Sequence, residues 1–84
     1  MNLLTFKLKY ADKKWQMYLT ETFGEELANK CKIESVGTAK KSEATINLLD
    51  FNNDKKVINK IKNDKNVVSA YIVSDSKAKT VIVP

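Results

Sequence analysis

The chain has 84 residues, 43% hydrophobic and 30% charged, with fifteen lysines, no arginine, no histidine and a net charge of +5. That length makes one domain, residues 1–84, in which roughly 60% or a little more of the unfolded surface can be buried. The absence of any apolar run of about 18 residues excludes a membrane-spanning helix, and without a basic-then-apolar leader a cytoplasmic protein is the expectation.

Leu3 to Tyr10, LLTFKLKY, alternates, with Leu4, Phe6, Leu8 and Tyr10 on one face and Thr5, Lys7 and Lys9 on the other. This period of two predicts a first strand with one buried face. Asp12 then offers an N-cap, and Trp15, Tyr18, Leu19, Thr22 and Phe23 recur at the spacing of one helix face. A helix over residues 13–23 follows, with Gly24 marking its end or a fraying continuation into Glu25 to Asn29.

Cys31 to Val36 and Glu43 to Phe51 alternate again around the polar stretch GTAKKS, which reads as a hairpin. Asn52 and Asn53 are placed to cap a second helix, Asp54 to Asn63, in which Val57, Ile58 and Ile61 make a narrow apolar stripe between lysines. NDKN is a turn, Val67 to Val73 the most strand-like run, and Lys79 to Val83 a fifth strand able to pair back at an edge. The expected fold class is α+β, a ferredoxin-like βαββαβ sandwich. Its antiparallel sheet carries two helices on one face and gains an extra C-terminal edge strand.

The residues that carry chemistry are sparse. Cys31 has no histidine to serve as base and reads as a small buried hydrophobe, so no catalytic set is expected and the chain is read as a non-enzyme. With one cysteine and no histidine, a zinc or transition-metal site lacks soft ligands, and neither metal nor cofactor is expected. Gly24 and Gly37 stand alone, so there is no phosphate-cradling loop.

Two candidate sites are left. The exit of the first strand brings Tyr10, Asp12 and Trp15 to the start of a helix, where free backbone N–H groups and the helix dipole suit a small anionic ligand. The bland alternative, in which Asp12 only caps and Trp15 only packs, stands beside it. The second is Lys55, Lys56, Lys60 and Lys62 on the second helix, a candidate nucleic-acid surface. Lysine supplies point charge without the bidentate fork that reads bases, so such binding would be sequence-independent, and a solvated face is the plain alternative.

The run LLTFKLKYADKKW, the helix ending in Phe23, the hairpin, and INKIKNDKNVVSAYIV together resemble the N-terminal domain of archaeal helix-turn-helix regulators of the bacterio-opsin-activator type. The resemblance implies an ACT-like domain, ahead of a DNA-binding helix-turn-helix that is missing from this sequence, so DNA contact would come only through that absent part. The expected function is a non-catalytic regulatory module of a transcription regulator, sensing a small ligand, dimerising, or both. A homodimer through the sheet edge or face is the expected partner, because Val67, Val68, Val81, Ile82 and Val83 are more apolar than a solvated sheet face needs. A free-standing small basic nucleic-acid-binding protein is the alternative.

Overall fold

The computed structural model describes residues 2–9, 14–36 and 43–84. In chain order these form β1 (Asn2–Lys9), α1 (Trp15–Phe23), α2 (Glu25–Asn29), β2 (Cys31–Val36), β3 (Glu43–Phe51), α3 (Lys55–Asn63), β4 (Val67–Val73) and β5 (Lys79–Val83). The strands make one sheet in the order β2-β3-β1-β4-β5, and every neighbouring pair is antiparallel. The described residues therefore make an α+β arrangement of one five-stranded antiparallel sheet and three helices, compatible with a ferredoxin-like fold.

The alternation of β1 decides where the core lies. Leu4, Phe6 and Leu8 are buried and meet Ala44, Ile46 and Leu48 of β3 and Ala70 of β4 on the same face, under Leu19 and Phe23 of α1 and Ile61 of α3. The rings of Phe6 and Phe23 stand 5.9 Å apart, edge to face, which ties strand to helix beyond plain area burial. Val67 is also core, and Ile82 and Val83 pack against it, so three of the five residues that look surplus in the sequence are satisfied inside the fold. Val68 and Val81 do stay out. Val68 falls where the β1–β4 register shifts, and Val81 lies on β5, which among the described residues has a partner strand on one side only.

Helical boundaries differ from the sequence expectation at both helices. Lys14 flanks α1 in a non-helical conformation with no side-chain cap bond, so the helix starts at Trp15, and residue 13, the expected start, lies outside the described residues. Asp12, the expected cap, lies outside the described residues. At the other end Gly24 takes φ 96° and ψ 152°, a region open almost exclusively to glycine, while its N–H still donates to the Thr20 carbonyl. One helix is thereby broken into two short ones. A Cβ at Gly24 would meet nothing within 4 Å, so the backbone angle alone opposes a side chain there. Gly24→Ala is expected to cost about 1–2 kcal/mol, measured as a lowered urea midpoint.

At α3 the cap is Asp54, whose carboxylate accepts from the Lys56 N–H at 2.9 Å, and not Asn52 or Asn53. Asn53 instead turns the chain with a positive φ of 57°, a conformation asparagine tolerates better than most residues. Of the expected α1 stripe, Trp15, Leu19 and Phe23 are buried and Tyr18 is half-buried, while Thr22 is exposed.

Candidate functional site

The three residues expected at the exit of the first strand do not all fall within the described part of the chain. Tyr10 and Asp12 lie outside it. Trp15 opens α1 with 6% of its surface exposed and belongs to the hydrophobic core, so packing accounts for its placement.

The four lysines of the second candidate are all exposed on α3. At about 100° per residue, Lys56 and Lys60 fall on one flank of the helix and Lys55 and Lys62 on the other, with the Val57–Ile58–Ile61 stripe facing the sheet. Lys56 and Lys60 line a groove shared with α2, and Lys55 and Lys62 are not among its lining residues. The helix thus presents two pairs of cations and not one patch of four.

A polar cluster that the sequence does not announce joins α1 to the turn after α3. The Tyr18 hydroxyl lies 2.9 and 2.8 Å from the two carboxylate oxygens of Asp64 and donates to that carboxylate. Asn66 Nδ2 donates to the Tyr18 oxygen at 2.9 Å, and the Asn66 backbone N–H donates to Asp64 at 2.7 Å. Burial raises the Tyr18 hydroxyl above its usual 10.0, and although the Asn66 bond works against this, the Asp64 carboxylate adds to the rise. In sequence, NDKN reads as a turn and Tyr18 as a stripe residue; the only hint of their meeting is that Tyr18 brings a polar tip to a half-buried position.

On the sheet face away from the helices, one row crosses all five strands: Lys32, Asn47, Thr5, Tyr71 and Val81. Thr5 is 5% exposed despite facing away from the helices, and its hydroxyl donates to Asn47 Oδ1 at 2.7 Å, while Asn47 Nδ2 donates to Glu34 at 2.9 Å. Lys79 Nζ stands 4.3 Å from the centre of the Tyr71 ring. Thr5, Asn47 and Glu34 thus make a hydrogen-bonded strip on this face, with a cation over the Tyr71 ring beyond it and Val81 exposed at the end of the row. Among the described residues, no buried side-chain nitrogen or oxygen lacks a hydrogen-bond partner.

Cys31 packs against the core from β2, and burial pushes its thiol up from 9.0 to about 11. The thiolate is the nucleophile, so this thiol is quiet at neutral pH. Both Cys31 and Tyr18 are harder to deprotonate folded than unfolded: the Cys31 contribution to stability is fully present below pH 9 and is lost as pH rises towards 11, and that of Tyr18 is fully present below pH 10 and is lost above it. The urea midpoint is expected to fall across that window, and Cys31→Ala to flatten part of the fall.

No group of three or more cysteine, aspartate or glutamate side chains able to hold a metal ion occurs among the described residues. None of the described helices is long and apolar enough to cross a membrane. Comparison of the chain with protein-family models, with curated proteins and with solved structures gives no match.

Proposed function

We propose that the chain is a non-catalytic regulatory module of the ferredoxin-like βαββαβ class that works by associating with a second copy of itself through β5. In this reading α1 and α2 together fill the place of the first helix, and β5 is an added strand beside β4. The resemblance to the N-terminal domains of bacterio-opsin-activator-type regulators extends the proposal to the control of transcription, with DNA bound by another segment.

The observation that carries the reading is the open edge of β5. Lys79–Val83 has backbone groups on its outer side that no strand among the described residues pairs, and Val81 there is 63% exposed. Natural sheets blunt such an edge with charge, proline or a covering element. Here the one charged residue of the strand, Lys79, places its ammonium over Tyr71. An antiparallel two-fold centred on Val81 would set Val81 opposite its own copy, Thr80 opposite Ile82 and Lys79 opposite Val83, with no like charges facing.

Sedimentation over a wide concentration range tests this. The expected result is a reversible dimer that Val81→Lys makes monomeric, because two lysines would then face each other across the two-fold. A monomer at every concentration would remove the proposal, and so would a dimer indifferent to Val81→Lys.

A further inference from the structure

The helical layer is closed at one end and open at the other. Towards the start of α1, Tyr18 is tied to Asp64 and Asn66 beyond the end of α3. Past Gly24 the chain turns into the five-residue α2, which packs towards β2, while α3 packs towards β4 and β5. Between them lies a groove of about 260 Å³. Its apolar lining comes from Phe23, Leu27 and Val57, the last two half-buried, and a smaller hollow continues it towards Leu48 and Phe51. Lys30 enters from one wall and Lys56 and Lys60 from the other, all three exposed.

We propose that this groove binds a small amphipathic monoanion, a free carboxylic acid with a short apolar body. The apolar lining takes the body out of water, and the three ammoniums meet the carboxylate. The size supports a small ligand, since about 260 Å³ lies just below the usual range of roughly 300–1,000 Å³ for ligand pockets. The charge count supports a single negative charge. Glu26 and Asp54 also line the groove, so three cations face two carboxylates and the balance is one positive charge. Asp54 is already engaged as the α3 cap, which leaves Glu26 to repel a multiply charged anion. Lysine suits this role because its flexible point charge follows a carboxylate without imposing bidentate geometry.

The site goes beyond the association reading and does not depend on it, because the groove lies on the helical side and β5 at the sheet edge. The test is an amide chemical-shift titration with octanoate, kept below its self-association range, on the wild-type protein and on Val81→Lys. Saturable shifts are expected at Phe23, Leu27, Lys30, Val57 and Lys60 in both proteins. The double variant Lys56→Gln/Lys60→Gln, altered at two exposed positions, is expected to weaken binding about three- to tenfold. Octanol, which lacks the charge, and inorganic phosphate, which lacks the apolar body, are expected to bind more weakly than octanoate. The proposal is overturned by an absence of saturable shifts, by shifts confined to the sheet face, by octanol or phosphate matching octanoate, or by a double variant that binds unchanged.

Discussion

Replacing Trp15 with Ala is expected to lower the unfolding free energy by about 3–5 kcal/mol. The indole is 6% exposed at the first residue of α1 and shares the core with Leu4, Phe6, Leu8, Leu19 and Phe23. Removing it takes away the transfer energy of the largest side chain in the protein and leaves a cavity at a helix start that has no side-chain cap bond to hold it. In a domain of this size each kcal/mol moves the melting temperature by about 4–8 °C, so a fall well beyond 10 °C is expected. Far-ultraviolet circular dichroism in urea is the measurement, since the variant lacks the fluorophore. An unchanged midpoint would show that Trp15 does not serve as core, and would return it to the candidate ligand site with Tyr10 and Asp12.

Asp64→Ala is expected to cost about 2–3 kcal/mol, the scale of losing a charged hydrogen-bond acceptor. The carboxylate receives the Tyr18 hydroxyl at 2.8 to 2.9 Å and the Asn66 N–H at 2.7 Å, so one deletion strands two donors. Tyr18→Phe alone should cost less, because Asp64 keeps its bond from Asn66. A double-mutant cycle between Tyr18→Phe and Asp64→Ala is expected to give a coupling of about 1 kcal/mol or more. Additive losses would show that the two groups are neighbours without being partners. Because the cluster ties α1 to the turn after α3, faster amide exchange in α1 is the expected companion effect of Asp64→Ala.

The chain carries its strands openly and its site residues poorly. β4 and β5 begin and end where the alternating and β-branched runs do, and β1 buries Leu4, Phe6 and Leu8 as its period of two requires. The helix ends are less legible. Gly24 in sequence fits the end of a helix over residues 13–23 that frays onward, and its φ of 96°, which splits α1 from a second short helix α2, depends on how both helices dock on the sheet. Asn52, Asn53 and Asp54 are all good caps by type, and the turn geometry at Asn53 leaves the task to Asp54. The lysine run on α3 looks like one basic face when read in sequence, yet the helical period separates it into two flanks.

What the sequence determines by itself is the class of the fold and the face each element buries, because both rest on local periodicity, which a chain shows without knowing its partners. That Tyr18 reaches Asp64, 46 residues away, that Thr5, Asn47 and Glu34 form one chain of bonds, and that α2 and α3 part to leave a lysine-edged groove were decided by the tertiary structure. Those juxtapositions arise from strand register and helix docking, in which each residue's neighbours are set by chain segments far from it, and no local pattern records them.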